Sequence, residues 1–311
     1  MFRNFLAVSG VICLSVFLAM FISASQVKPV KLTSPISGVS KLNLADNLWF
    51  PKVGVVLGAE APPEITGEGA FFVDTQTGKV LYQKNPHERL PIASLTKIMT
   101  IIVTLENRKF TDTFTISQTA ADMEPDKMLL IAGEKLTTEE LLDGVFLVSA
   151  NDAAEEFAEK VTGNYDEFVG LMNKEAKTLG MNDSLFINPT GLEEDGKDQY
   201  SSAYDVALMS RYAITHWPHL VDISSQPHIY LDQTATHQDY DLYSGINLLT
   251  TYPGVVGFKT GYTPAAGLTL VTLARRDGHE VLGVILGSGD RREEARELLD
   301  YSFNELGVKV D

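Results

Sequence analysis

Ser94-Leu95-Thr96-Lys97, Ser149-Ala150-Asn151 and Lys259-Thr260-Gly261 stand in that order along the chain. Together they supply a serine, two amines, a second hydroxyl, an amide and a glycine at which a substrate could approach the backbone. This set suits acyl transfer to a serine without a catalytic histidine. A serine three residues before a lysine also arises by composition, as at Ser25-Gln26-Val27-Lys28, so no box is informative alone. Their order and their separation carry the reading.

The elements that must position them can be read in turn. Leu95, Ile98, Met99, Ile102, Val103 and Leu105 recur at helical spacing, which predicts a helix over 92–106. Positions i and i+3 share a helix face, so the Lys97 amine can reach the Ser94 hydroxyl. A hydroxyl becomes a good nucleophile when a neighbouring base takes its proton, and an amine serves only when neutral. Burial and a second cation, Lys259, would both favour the neutral form of Lys97. Read alone, the pair also fits a solvated serine and lysine on a surface helix.

Thr137-Thr138-Glu139-Glu140 reads as a capping box opening a helix over 141–148, so Ser149 and Asn151 fall where that helix gives way to a turn. From there Ser149 could relay a proton to a leaving amine, and Asn151 could hold a substrate amide. The plainer reading is a helix exit and restart, with Asn151 or Asp152 as the next cap. The third box leads into an alternating run over 268–274, then Asp277-Gly278, then a second run over 280–286, which predicts a hairpin. Gly261 would let an extended peptide lie close, and Lys259 and Thr260 offer a charge and a donor to a carboxylate. The backbone N–H groups of Ser94 and Tyr262 are candidates for an oxyanion hole. Alternatively, Lys259 protects a strand edge.

A further hairpin is expected over 70–82, turning at Thr77-Gly78, then a largely helical block over 92–216 that includes an amphipathic stretch at 166–179, and a last helix over 291–306. Early and late strands would pair while helices fill the middle. The expected fold is therefore α/β of the α+β type: an antiparallel sheet flanked by helices, with an inserted α-rich region and the site in the cleft between them.

These boxes, with Phe71-Phe72-Val73-Asp74 and Gly78 ahead, Asn188-Pro189-Thr190-Gly191-Leu192 between, and Tyr262-Thr263-Pro264-Ala265-Ala266-Gly267 behind, resemble the low-molecular-mass penicillin-binding proteins, the serine D-alanyl-D-alanine carboxypeptidases. The resemblance runs over about residues 65–307. It implies the β-lactamase/DD-peptidase-like fold and a stem peptide of peptidoglycan ending in D-Ala-D-Ala as substrate, with β-lactams as acylating inhibitors and no cofactor or metal. It implies Ser94 as nucleophile, Lys97 as base, Ser149 and Asn151 as proton relay and substrate clamp, and Lys259 and Thr260 as contacts on the carboxylate side. Arg291 matches a family arginine on that side, although Arg292 is adjacent. Family members often carry a histidine before the Tyr-Ser-Ser-Ala-Tyr-Asp run, where this chain has Gln199. Many continue into a β-rich domain, whereas this sequence stops at Asp311, as in the single-domain members.

Arg3 followed by an apolar run over 5–22 and by Ser23-Ala24-Ser25 reads as a signal peptide or membrane anchor, hence as export to the periplasm or extracellular wall space. Residues 26–64, with five prolines, read as a linker, and 65–311 as the catalytic domain. Cys13 is the only cysteine, so no internal disulfide can form. The net charge of −16 becomes about −17 without Arg3, which argues against nucleic acid as a partner.

Rival functions share parts of this pattern. A class A β-lactamase would add a Glu-x-x-Leu-Asn loop, which the sequence lacks. Zinc ligation by His216 and His219 is disfavoured by Pro218, and His279-Glu280 lacks a second histidine at Gly283. A transpeptidase would use the same residues. A non-catalytic wall-binding or sensor protein of the same fold would be expected to lose the nucleophile or its base, and both remain.

Overall fold

The computed structural model describes residues 49, 51, 61–197 and 199–309, and the leader and most of the linker read from the sequence lie outside them. Two short hairpins frame the sheet. Strand β1 (Gly69–Asp74) turns through Gly78 into β2 (Val80–Lys84), and β8 (Gly267–Arg276) turns through Asp277-Gly278 into β9 (His279–Ser288). With β7 (Val255–Thr263) they form one antiparallel sheet in the order β2-β1-β9-β8-β7. The first strands thus pair with the last, as expected, and β7 stands at an edge.

Successive side chains leave opposite faces of a strand. Phe71 and Val73 of β1 therefore enter the larger core, while Ala70 and Phe72 enter a second core on the other face. That second face is covered by α9 (Arg291–Glu305), through Ala295, Leu298, Leu299 and Phe303. On the larger side lie α1 (Lys97–Asn107), α2 (Gln118–Ala121), α3 (Thr138–Leu147), α4 (Asn151–Val161), α5 (Tyr165–Thr178), α6 (Ala203–His216) and α7 (His219–Ser224). Two small two-stranded sheets, β3 (Thr113–Thr115) with β4 (Lys135–Thr137) and β5 (His228–Leu231) with β6 (Tyr240–Tyr243), decorate this block, and α8 (Leu248–Thr251) precedes β7.

The capping box before α3 is present, with Thr137 accepting from the Glu140 N–H and Glu140 accepting from the Thr137 N–H. One expectation changes in detail. The predicted helix over 92–106 begins as a 3-10 turn at Ala93–Thr96 and becomes α only at Lys97. Every residue of α1 from Lys97 to Leu105 is buried, so this helix is core on all sides rather than a surface helix. Among the described residues no helix is long and apolar enough to cross a membrane.

Candidate active site

The 3-10 turn decides how Ser94 and Lys97 meet. In such a turn i and i+3 are nearly eclipsed, and Lys97 Nζ lies 2.8 Å from Ser94 Oγ. The same amine donates to the Thr190 carbonyl at 2.8 Å. Lys97 is fully buried. Burial, with the Lys259 charge nearby, holds it well below the usual lysine range, and Asp126 and Asp152 oppose that shift.

The second box lies between α3 and α4. Ser149 has φ +59° and so turns the chain sharply at the helix junction. Its Oγ accepts from Lys259 Nζ at 2.9 Å. Asn151 opens α4 with Ala150 as the N-cap residue, so neither Asn151 nor Asp152 is the cap. The Asn151 amide nitrogen donates to the Pro125 carbonyl, while its Oδ1 is buried with no hydrogen-bond partner among the described residues. A buried acceptor left open two residues after Ser149 is a place for a ligand N–H.

The third box runs along the edge strand β7. Lys259 is fully buried, and its amine also donates to the Thr260 carbonyl at 2.9 Å. Burial first, then the Arg291 charge, push it down to about 7, against the opposing Asp126. Gly261 matters for a reason that differs from the sequence reading. A Cβ on it would lie 2.9 Å from Ser94 N, 3.2 Å from Ala93 Cβ and 2.6 Å from Thr269 Oγ1. Glycine here lets the strand close on the backbone of the first box itself. Tyr262 follows, exposed.

Arg291, not Arg292, turns toward the strand. Its Nη1 donates to the carbonyls of Gly261 at 2.6 Å and Thr269 at 3.2 Å. It lines a small cavity of about 40 Å³ together with Thr260 and Gly245. A larger cavity of about 290 Å³ borders Ala93, Leu192, Glu193 and Thr263. All nine residues singled out from the sequence thus lie on the 3-10 turn with α1, the α3–α4 junction, β7 or the start of α9.

Three contributors escaped sequence reasoning. Thr190 acts through a main-chain carbonyl, which leaves no residue-type signature. Asp152, fully buried, accepts from the N–H groups of Met128, Leu130 and Ala153. It thereby anchors the loop whose Pro125 and Asp126 carbonyls accept from the side chain and backbone of Asn151. Asp126, on that loop, bears on both amines. The Asn151-Asp152 pair was legible only as a possible cap. The histidines weighed as zinc ligands are engaged otherwise: His219 meets Glu139 and Asp222, and His216 meets the Tyr212 carbonyl.

The profile of the Peptidase S11 family, D-alanyl-D-alanine carboxypeptidase, matches residues 57–290. The chain is 37% identical over 246 residues to the D-alanyl-D-alanine carboxypeptidase DacF of Bacillus subtilis, covering 76% of this chain and 62% of that protein. Among solved structures it resembles the Streptomyces K15 DD-transpeptidase, with a TM-score of 0.73 at 28% identity over 79% of this chain and 100% of that one. The D-alanyl-D-alanine carboxypeptidase DacD of Francisella tularensis also has a TM-score of 0.73, at 29% identity over 80% of this chain and 73% of that one.

Proposed function

Because the chain belongs to the Peptidase S11 family of D-alanyl-D-alanine carboxypeptidases, we propose that it removes the terminal D-Ala from peptidoglycan stem peptides through an acyl-enzyme on Ser94. The observation that carries this reading is the fully buried Lys97 amine, 2.8 Å from Ser94 Oγ and held by burial well below the usual lysine range. The chain spans 62% of the length of DacF, so the reading concerns the region they share.

In the forward step Ser94 Oγ attacks the penultimate D-Ala carbonyl while its proton passes to the lone pair of neutral Lys97. The oxyanion is met by the N–H groups of Ser94 and Tyr262. The C–N bond then breaks, and the departing D-Ala amine takes a proton through Ser149, whose hydroxyl is fed by the Lys259 amine at 2.9 Å. Asn151 Oδ1 receives an N–H of the peptide. Lys259, Thr260 and Arg291 attend the terminal carboxylate. Water then attacks the acyl carbonyl and gives its proton to the Ser149–Lys259 pair, which lost one to the amine; the ester C–O bond breaks, Lys97 returns its proton to the Ser94 oxygen, and the shortened peptide leaves as a carboxylate.

Transfer of the acyl group to an amine is a second reading, favoured by the likeness to the K15 DD-transpeptidase. Both readings predict penicillin binding at Ser94. Mass spectrometry of the protein after penicillin, and of the products from a D-Ala-D-Ala peptide with and without an added amine, tests them together. An acyl adduct on Ser94 with free D-Ala and a shortened peptide supports hydrolysis; an amine-capped product supports transfer; absence of any adduct removes both. The site reading is confined to residues 65–311. For the leader we keep the reading of export to the wall space, by a cleaved signal or a retained anchor.

A further inference from the structure

The stretch 188–192 supplies no acid, base or nucleophile to the proposed reaction, yet its backbone is tied down atom by atom. Asn188, 3% exposed, accepts through Oδ1 from the N–H of Thr190 at 3.2 Å, the N–H of Gly191 at 2.8 Å and Thr190 Oγ1 at 3.2 Å. Its amide nitrogen donates to the Leu192 carbonyl at 2.8 Å and to Glu194 Oε1 at 3.0 Å. From α1, Thr100 Oγ1 donates to the Pro189 carbonyl at 2.7 Å. Gln199, in the stretch where family members often carry a histidine, accepts through Oε1 from the N–H groups of Ile187 at 3.0 Å and Asn188 at 3.4 Å. Gly191 has φ +83°, and a Cβ there would lie 1.9 Å from the Ala93 carbonyl oxygen. The turn is therefore pressed against the residue before Ser94, and the Thr190 carbonyl projects onto Lys97 Nζ at 2.8 Å.

A neutral amine has two N–H bonds and one lone pair, and rotation about its last C–N bond decides where each points. Sending one N–H into the Thr190 carbonyl removes that freedom. We propose that Asn188 is a positioning residue for acylation: by fixing the Thr190 peptide it ties one N–H of Lys97 and so turns the amine lone pair onto the Ser94 hydroxyl. This rests on the reading of Lys97 as the base. It gives a purpose to the Asn188-Pro189-Thr190-Gly191-Leu192 motif, which the chemistry of the three boxes leaves unused.

The charged groups bearing on Lys97 are Lys259 from β7, Asp126 from the loop between α2 and β4, and Asp152 from α4. A carbonyl stabilises an ammonium more than an amine. If Asn188 only aims that carbonyl, its loss slows acylation while making Lys97 easier to deprotonate. If Asn188 only keeps the pocket closed, its loss lets water in, and Lys97 moves back toward the ordinary lysine range.

The test measures acylation by a fluorescent penicillin against pH, and kcat and KM on a D-Ala-D-Ala peptide, for the full chain and two variants. Asn188→Ala should slow acylation and kcat about 30-fold, with KM within about threefold of the wild type, and its acid limb should stay or move to lower pH. The Asn188→Asp/Glu194→Gln variant keeps the acceptor for Thr190 and Gly191 but loses the donor to the Leu192 carbonyl; it should acylate at least about threefold faster than Asn188→Ala. Wild-type acylation by Asn188→Ala would overturn the inference. So would slowing accompanied by an acid limb displaced upward, or a double variant as slow as Asn188→Ala. Failure of penicillin to label wild-type Ser94 would instead remove the reading on which the inference rests.

Discussion

Lys97 and Lys259 are both fully buried, the first with its amine 2.8 Å from Ser94 Oγ and the second with its amine 2.9 Å from Ser149 Oγ. Burial depresses both; the Lys259 charge depresses Lys97 further, and the Arg291 charge does the same to Lys259. In the proposed reaction one amine is a base and the other a cation, from the same residue type.

The pH dependence follows from this division of roles. Both amines are depressed, so each is charged below its folded pKa and neutral above it. Turnover in the proposed reaction needs Lys97 neutral and Lys259 charged, and the Lys259 charge is lost as pH rises through about 7. For peptides with a free C-terminal carboxylate, kcat/KM should fall as pH rises through about 7. A profile for the amidated analogue that falls just as steeply would assign that limb to the proton relay from Lys259 through Ser149 and not to a carboxylate contact.

Ser94→Ala should reduce covalent labelling by a fluorescent penicillin by at least about a thousandfold, with the melting temperature kept within a few degrees. Gel fluorescence and intact mass check it. A persistent adduct on the variant would move the nucleophile elsewhere.

Lys97→Arg keeps the charge but replaces an amine that burial can neutralise with a guanidinium that holds its proton. Acylation should drop at least about a thousandfold. Stopped-flow labelling at near-normal rate would exclude Lys97 as the base.

Thr260→Val removes a hydroxyl from the small cavity beside Arg291. Peptides with a free C-terminus should lose about tenfold in kcat/KM and the amidated analogue much less. Equal losses on the two substrates would show that Thr260 does not meet the carboxylate.

Gly261→Ala inserts a Cβ 2.9 Å from Ser94 N. The strand must shift by several tenths of an ångström, and acylation should fall about a hundredfold while the sheet still folds. Wild-type acylation would mean that the contact between β7 and the nucleophile is not needed in that form.

The sheet, its two hairpins, the capping box before α3 and the main helices were legible because each rests on local signals: Asp277-Gly278, Thr137 with Glu140, and apolar periods. The boxes were legible by type and spacing. What escaped is non-local or main-chain. Nothing in Thr190 marks its carbonyl as a partner for an amine 93 residues earlier. The 3-10 onset at Ala93, where Gly261 of β7 comes close to Ser94, leaves no mark in the apolar period of the helix. The β5–β6 hairpin was missed because His228–Leu231 and Tyr240–Tyr243 are short and separated by a long polar stretch.

Strand β9 lies between β1 and β8, so the middle of the sheet is among the last elements to be made. A nascent chain that has emerged only as far as α7 owns both hydroxyls and the first amine, but has nothing for β1 to pair with except β2. Closure of the site therefore waits until synthesis is nearly complete, because β7, β8, β9 and the helix that begins with Arg291 all follow residue 254.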